Sequence, residues 1–262
     1  MIEQVLRLCL PLKNSPFVIQ STYVLSPTSI LTPYSTMAEQ QRREFFKTAG
    51  AAIGAAGIGS LAWSSANAQD AAAKPRKIIA INGSHRAGKT CAQSLGIVLE
   101  AIKATDPTLQ TELVELAPLN FGMLVVGGPQ EPDDLDPVIA KIVDPSCVGL
   151  VVASPIYMGL PSARLVSMLV RMQPLRRNWQ LKNKIIGLVA VASGRNGGQE
   201  TILQSLMKSF VAQQMILAVD GVPSSHWGAT LWNQNDSVME DAYGIGTAKN
   251  LGARVAELAK LV

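Results

Sequence analysis

The stretch from Lys77 to Thr90, KIIAINGSHRAGKT, has the residue types of an anion-binding turn. Four apolar residues, Ile78 to Ile81, predict a buried strand, and a helical pattern begins at Thr90. Small and polar residues connect the two. A strand that leads through such a turn into a helix leaves unpaired backbone N–H groups and the positive end of the helix dipole directed at one point. The sequence therefore predicts a phosphate-binding loop here.

Two known motifs fit this loop equally well. Gly83 to Thr90 satisfies G-x-x-x-x-G-K-[ST], the Walker A motif of nucleoside triphosphatases. The same residues satisfy G-S-x-R-x-G-x-T, the loop that holds the flavin phosphate in flavodoxin-like reductases. A Walker A site also needs an acid at the end of an apolar strand to hold Mg²⁺. The third predicted strand ends in Ser154-Pro155 instead, and the one candidate acid, Asp220, follows the last predicted strand, so the flavin motif is favoured.

Apolar runs alternate with helical patterns along the rest of the chain. The predicted strands are Lys77–Asn82, Glu112–Leu116, Gly149–Ser154, Ile185–Ser193 and Met215–Val219. The predicted helices are Cys91–Lys103, Asp136–Val143, Ser162–Arg171, Gly198–Gln213 and Glu240–Leu261. This alternation predicts an α/β fold with a doubly wound, five-stranded parallel sheet covered by helices on both faces, in three layers. Because such sheets bind ligands at the carboxyl ends of their strands, the loops after strands one, three and four should converge.

The loops at strand ends carry further recognisable sequences. Ser154 to Gly159 reads SPIYMG, Ser193 to Thr201 reads SGRNGGQET, and Trp227 to Thr230 reads WGAT. Together with the phosphate loop, they resemble the NADPH-dependent FMN reductase and flavodoxin-like NAD(P)H:quinone oxidoreductase family. The resemblance covers essentially the whole chain after Ala68, with the four motifs in family order. It implies a flavodoxin-like fold, bound FMN, and NADPH or NADH as co-substrate.

The resemblance also assigns the FMN site to three loops. The residues are Gly83, Ser84, Arg86, Gly88, Lys89 and Thr90 at the phosphate; Pro155, Ile156, Tyr157, Met158 and Gly159 at the isoalloxazine edge; and Ser193, Gly194, Arg195, Gly197 and Gly198 at the pyrimidine side. The family usually has Ser or Thr where this chain has Lys89, so Lys89 either adds a cation near the phosphate or points to solvent. Arg195 either stabilises reduced flavin or guides a phosphate of the pyridine nucleotide.

Tyr157, His226 and Trp227 are the candidate substrate contacts. By resemblance, the segment around His226 and Trp227 lies near the flavin, and Tyr157 either covers one face of the ring or has an ordinary packing role. His85, at a variable position of the phosphate loop, is expected to be an exposed turn residue. No catalytic side chain is predicted, because the flavin itself would carry the chemistry.

These observations predict an FMN-dependent NAD(P)H oxidoreductase of the flavin or quinone reductase type. It would pass a hydride from NAD(P)H, through FMN, to a quinone, a flavin or another small acceptor. Two alternatives stay open: an exported flavodoxin-like electron carrier without NAD(P)H activity and, more remotely, a P-loop nucleoside triphosphatase. A homodimer or homotetramer is expected from the resemblance alone.

The first 68 residues have the pattern of an export signal. Gln41 to Lys47 reads QRREFFK, and the sixteen residues from Thr48 to Trp63 are uncharged, ten of them Gly or Ala. Ala66-Asn67-Ala68 is a small-x-small cleavage site. The paired arginines resemble a twin-arginine signal, which implies export by the twin-arginine translocase and a periplasmic FMN-binding domain at 69–262. The alternative is an uncleaved inner-membrane anchor, and we expect translation to start at Met37, which gives a compact charged segment.

Composition argues against several other classes of protein. The chain of 262 residues has a net charge of +4. After Ala68 it contains 18 Lys and Arg and 16 Asp and Glu, so no basic face for nucleic acid is indicated. No C-x-x-C or His/Cys cluster occurs that would predict a zinc or iron–sulfur site, and no metal is expected. Cys91 and Cys147 are therefore predicted to be buried thiols.

Overall fold

Strands and helices alternate through residues Pro75–Val262, the part of the chain that the computed structural model describes. The strands are β1 (Lys77–Asn82), β2 (Gln110–Glu115), β3 (Cys147–Tyr157), β4 (Leu160–Pro161), β5 (Ile185–Ala192), β6 (Ile216–Ala218) and β7 (Ala229–Trp232). The helices are α1 (Thr90–Thr105), α2 (Asp136–Val143), α3 (Ala163–Arg171), α4 (Gln199–Val211) and α5 (Ala242–Ala259), with a short 3₁₀ helix at Gln173–Asn178. The predicted signal and its boundary at Ala68 lie outside the described residues.

Parallel pairing places β1, β3 and β5 at the centre of the sheet. The strand order is β2-β1-β3-β5-β6, and β4 forms a short antiparallel pair with the end of β3. From β1 the chain goes first to β2 on one side and then to β3 on the other. The predicted flavodoxin-like, doubly wound fold is confirmed, and its crevice lies at the carboxyl ends of β1 and β3.

Two strands share the fifth position of the sheet. β6 pairs with Ile185 to Gly187, and β7 continues along the same side of β5 from Val189 to Ala192. The prediction ended this strand at Val219 and treated Trp227 to Thr230 only as a motif. The segment between β6 and β7 returns to the sheet at Gly228, where a Cβ atom would collide with the backbone oxygen of Leu188. The five parallel positions are thus correct, but the last is interrupted.

The two faces of the sheet bury separate hydrophobic clusters. Ile79 and Ile81 contribute to one cluster, and Ile78 and Ala80 contribute to the other. Every residue of β5 is buried. This burial on both sides explains why its sequence is a continuous apolar run with no alternation.

Several element boundaries differ from prediction by a few residues. β3 extends to Tyr157, three residues beyond the predicted end, because β4 pairs with its last residues. Ser162 and Gly198, predicted as the first residues of helices, are N-caps. Within Pro75–Val262, no helix combines the length and apolar character needed to cross a bilayer.

Candidate functional site

The phosphate loop is tied to the centre of the sheet at its first residue. Gly83 donates its N–H to the carbonyl of Ala153 at 2.9 Å, and its own carbonyl accepts the hydroxyl of Ser162. A Cβ atom at Gly83 would lie 2.8 Å from both Ala153 O and Leu165 Cβ, so only glycine fits. The loop therefore has a defined position relative to β3 and α3.

Side chains behind the loop fix its course. Asn82 Oδ1 accepts the N–H of Ser84 at 2.9 Å, and Ser84 Oγ accepts the N–H of Arg86 at 3.0 Å. Glu115, at the end of β2, accepts from Asn82 Nδ2 at 2.6 Å and from the N–H of Gly88 at 3.0 Å. Gly88 has φ +67°, which a residue with a side chain rarely adopts. The sequence analysis did not identify Asn82 and Glu115 as residues of the site. They are the last residues of the neighbouring strands β1 and β2, where they pair with each other.

The N-terminus of α1 has the properties of an anion site. Its N-cap, Lys89, makes no side-chain cap hydrogen bond, and no acid lies in the first turn. Because no side chain accepts from them, the first N–H groups of the helix stay without a side-chain partner at the loop. The helix is 16 residues long, so the positive end of its dipole also lies at the loop. This arrangement fits a phosphate group.

Both cations of the loop contact a residue that the sequence analysis did not identify. Arg86 Nη1 lies 2.6 Å from Asp236 Oδ1, and Lys89 Nζ lies 3.4 Å from Asp236 Oδ2. The hydrogen bond from Arg86, followed by that from Lys89, lowers the pKa of Asp236 below its ordinary value. The same bond raises the pKa of Arg86. Lys89 is thus about half-exposed and ion-paired with Asp236, and a contact between Lys89 and a bound phosphate stays a prediction.

The second predicted loop forms the tip of the β3–β4 hairpin. Pro155 and Ile156 are half-buried, whereas Tyr157 and Met158 are exposed, Met158 almost completely. Met158 and Gly159 have φ +50° and +76° and form the two central residues of the turn. The Tyr157 ring lies 5.8 Å, centroid to centroid, from the ring of His85, which is exposed as expected. The first two loops therefore meet.

The third loop also ends at a helix N-terminus without a side-chain cap. Gly198, with φ +89°, is the N-cap of α4. The N–H of Gly197 and the Nε2 of Gln199 both donate to the carbonyl of Gly194, at 3.1 and 2.8 Å. Trp232, at the end of β7, donates its indole N–H to Ser193 O at 3.0 Å. The loop is held on both sides, and its helix begins without a side-chain cap but with one acid, Glu200, in the first turn.

Arg195 contacts residues of the protein itself. Its guanidinium pairs with the buried Asp241, donates to Thr230 O at 3.2 Å, and lies 5.3 Å from the centre of the Tyr243 ring. A contact between Arg195 and a flavin or a pyridine nucleotide stays a prediction.

His226 lies between an acid and a phenol. Its Nδ1 is 3.4 Å from Asp220 Oδ2, and its Nε2 is 3.3 Å from the hydroxyl of Tyr243. Trp227 is exposed, and both residues line a cavity of about 500 Å³. Burial raises the pKa of Glu200, which lines the same cavity. The Tyr243 ring connects this cluster to Arg195, although a substrate contact by His226 or Trp227 stays a prediction.

The two cysteines of the described region are buried on opposite faces of the sheet. Cys147 belongs to one hydrophobic cluster and Cys91 to the other. Burial raises the pKa of the Cys91 thiol to about 12 and also raises that of Cys147. Between Pro75 and Val262, no group of three or more His, Cys, Asp or Glu residues is arranged to hold a metal ion. Both cysteines are thus the buried thiols that were predicted.

Similar proteins include archaeal flavoproteins. An iron-sulfur flavoprotein of Methanocaldococcus jannaschii is 35% identical over 71% of this chain and 98% of its own length. An iron-sulfur flavoprotein of Methanosarcina thermophila is 31% identical over 71% of this chain and 96% of its own length. Among solved structures, a WrbA-like flavodoxin of Agrobacterium tumefaciens aligns with a TM-score of 0.51 at 15% identity, over 71% of this chain and 98% of the other, which supports the fold.

An iron–sulfur cluster held by cysteines does not fit this chain. Such clusters need four thiolate ligands, and the whole sequence has three cysteines. Cys91 and Cys147 are separated by the sheet, and Cys9 lies outside the described residues. Between Pro75 and Val262 there is therefore no set of cysteines for such a cluster, and the iron–sulfur group belongs to the relatives' names alone.

A match to a protein-family model identifies the family, and this match covers all three loops. The sequence model of the NADPH-dependent FMN reductases matches residues 76–229, from just before β1 to the first residue of β7. This match favours the flavin motif over the Walker A motif for Gly83 to Thr90. The chain belongs to the NADPH-dependent FMN reductase family, a family of FMN-dependent oxidoreductases with a flavodoxin-like fold.

Proposed function

We propose that this protein binds FMN at the carboxyl edge of the sheet and transfers electrons from NADPH or NADH to a quinone, a flavin or another small acceptor. The observation that carries this proposal is the GSxRxGxT loop at the N-terminus of α1, which lacks a side-chain cap and meets the Tyr157 turn. The family assignment supports an FMN-dependent oxidoreductase. The donor and the acceptor are the proposed part.

The loops supply the groups that each part of FMN needs. The first-turn N–H groups of α1, the hydroxyls of Ser84 and Thr90, and the Arg86 guanidinium would hold the phosphate. The turn at Tyr157 to Gly159 would border the ring, and Ser193 to Gly198 would border its pyrimidine side. Bound FMN supplies a ring that accepts a hydride and passes electrons onward.

The protein's own contribution is orientation and electrostatics. The N-terminus of α4 would stabilise negative charge on the pyrimidine side, because its N–H groups have no side-chain cap. Tyr157 and Met158 are exposed beside the crevice and would shield the ring from water. Tyr157, His226 and Trp227 are the proposed contacts of the nicotinamide or the acceptor. None of these roles requires a side chain to exchange a proton with the substrate.

A second candidate function is an exported electron carrier. The segment Gln41 to Lys47 and the Gly/Ala-rich stretch after it favour export, and a periplasmic protein would have little access to NAD(P)H. We propose the twin-arginine route for both functions, because FMN can be bound before the folded protein crosses the membrane. A homodimer or homotetramer is proposed as the assembly.

An anaerobic titration separates the two functions. The purified protein is reconstituted with FMN, and its visible flavin absorption is followed as NADPH or NADH is added. Bleaching of the flavin bands by either nucleotide is the expected result. Bands that persist with both nucleotides but bleach with dithionite would indicate the carrier. Failure to bind FMN would reject both functions, and an iron assay of the same sample should find no stoichiometric iron.

A further inference from the structure

A tight turn after β7 reaches across to the phosphate loop. Gln234 and Ser237 are joined by two backbone hydrogen bonds of 2.7 and 2.9 Å. Asn235 and Asp236, between them, have φ +51° and +63°, the left-handed conformation that Asn and Asp tolerate. The turn therefore presents the Asp236 side chain at its tip.

Gln93 of α1 fixes this turn above the helix N-terminus. Its Nε2 donates to Asp236 O at 3.3 Å, and its Oε1 accepts the N–H of Val238 at 3.2 Å. The Gln93 side chain thus hydrogen-bonds the backbone at Asp236, within the turn, and at Val238, just after it. The position of Asp236 follows from the backbone around it, and the contacts with Arg86 and Lys89 come in addition.

The carboxylate of Asp236 bonds the same cations that the phosphate site offers. Arg86 and Lys89 carry two positive charges, and Asp236 reduces their sum to one. A carboxylate of this kind is ionised at neutral pH, and the hydrogen bonds from Arg86 and Lys89 lower its pKa further. A phosphate dianion that approached Arg86 would meet this negative charge.

We propose that Asp236 is a specificity-determining residue of the phosphate site, an internal counter-ion that competes with the flavin phosphate for Arg86 and Lys89. Its presence reduces the preference of the site for FMN over riboflavin, which has no phosphate. The inference rests on the proposed FMN site. It adds a residue from the far edge of the sheet, 150 positions from Arg86 in sequence, to the groups that set ligand choice.

The size of the effect is limited by solvent. The side chains of Arg86 and Asp236 are 47% and 44% exposed, and ion pairs at such positions are weakened by water and salt. Removing the competing charge should therefore strengthen FMN binding by about 1.5- to 5-fold at low salt. Riboflavin binding should stay unchanged, because riboflavin does not use the cations.

The test is Asp236→Asn in the otherwise unchanged protein. Asn accepts the left-handed backbone of this turn, so the variant removes charge while keeping the local fold. The matched control is Glu240→Gln, an exposed acid of the same segment that makes no ion pair within Pro75–Val262. Dissociation constants for FMN and riboflavin are measured by quenching of flavin fluorescence, at low and at high salt.

Tighter FMN binding in Asp236→Asn, with riboflavin and the control unchanged and a smaller difference at high salt, would support competition. Unchanged or weaker FMN binding in Asp236→Asn would overturn the inference and leave the proposed function intact. If the unmodified protein binds neither FMN nor riboflavin, the proposed function itself fails, and the inference fails with it.

Discussion

At the scale of single residues, the phosphate loop combines a buried, hydrogen-bonded base with partly exposed charges. Gly83, Asn82 and Ser84 are buried and hydrogen-bonded to one another or to β3. Arg86 and Lys89 are about half-exposed. Backbone groups and buried side chains therefore set where an anion can bind, and the two exposed cations tune how strongly it binds.

The double variant Ser84→Ala with Arg86→Ala should weaken FMN binding by about 10-fold or more, since a charge-assisted bond and a hydroxyl contact are lost. Riboflavin affinity, measured in the same fluorescence titration, serves as the control and should change much less. The protein should stay folded, with a modest decrease in the thermal unfolding temperature, because the buried Ser84 hydroxyl no longer accepts the N–H of Arg86 while the Arg86 side chain itself is half-exposed. Unchanged FMN affinity would move the phosphate site elsewhere.

Gly83→Ala tests the base of the loop. A methyl group there would lie 2.8 Å from Ala153 O and Leu165 Cβ, so the loop or α3 must shift. We expect a loss of about 1–3 kcal/mol in the free energy of unfolding, measured with urea.

The matched control for Gly83→Ala is Gly96→Ala, in the middle of α1 with no atom within 4 Å of the new methyl. It should stabilise the protein by about 0.5–1 kcal/mol, and equal effects at both positions would contradict the close approach at Gly83.

At the scale of elements, α3 positions a long irregular segment between β2 and α2. Arg171, at the end of α3, has a side chain only 2% exposed. It pairs with Asp133, lies 3.1 Å from Asp136, and donates to Gly122 O at 3.3 Å. Since α3 also provides Leu165 against Gly83, this cluster stabilises one wall of the crevice.

Asp133→Asn should lower the stability of the protein in a pH-dependent way. The hydrogen bond from Arg171 holds the pKa of Asp133 below its ordinary value. A lowered pKa contributes stability above the unfolded-state pKa, near about 4, and this contribution is lost as pH falls through the folded-state pKa. The difference in unfolding free energy should therefore be largest at neutral pH and should narrow in acid. Glu131→Gln, at an exposed acid nearby, is the control, and a difference independent of pH would contradict the ion-pair explanation.

At the scale of the whole molecule, the described part of the chain offers no cysteine cluster, although two similar proteins are iron-sulfur flavoproteins by name. Its two described cysteines are separated by the sheet, so flavin is the redox group that the fold supports. In the proposed function, electrons enter and leave at the flavin itself, and the proposed donor and acceptor approach it at the exposed Tyr157 turn.

The export hypothesis is tested with Arg42→Lys and Arg43→Lys together, since the proposed translocase reads the arginine pair and the change keeps the charge. Fractionation of the producing bacterium should find the unmodified protein in the periplasm and the variant in the cytoplasm as precursor. The control is Lys74→Arg, which also keeps the charge and lies after the predicted cleavage site, so it should leave export unchanged. Periplasmic protein in the Lys–Lys variant would contradict the twin-arginine route.

The fold and the positions of its loops at the ends of the strands could be predicted from local sequence. Apolar runs such as Ile185 to Ala192 indicate strands buried on both sides, and the turn after Ile81 carries its glycines at the positions where the backbone needs them. These signals are local because periodicity and turn chemistry depend on neighbouring residues. The order of strands then follows from the handedness of crossover connections.

Only the tertiary structure decided which distant residues complete the site. Nothing around Asp236 in the sequence indicates a contact with Arg86. The split fifth strand could not be recognised either, because β7 has only four residues. Likewise, the placement of Cys91 and Cys147 on opposite faces depends on packing around the sheet. The physical reason is that these contacts join segments far apart in the chain, whose meeting is set by the topology of the whole sheet and leaves no periodic or compositional pattern behind.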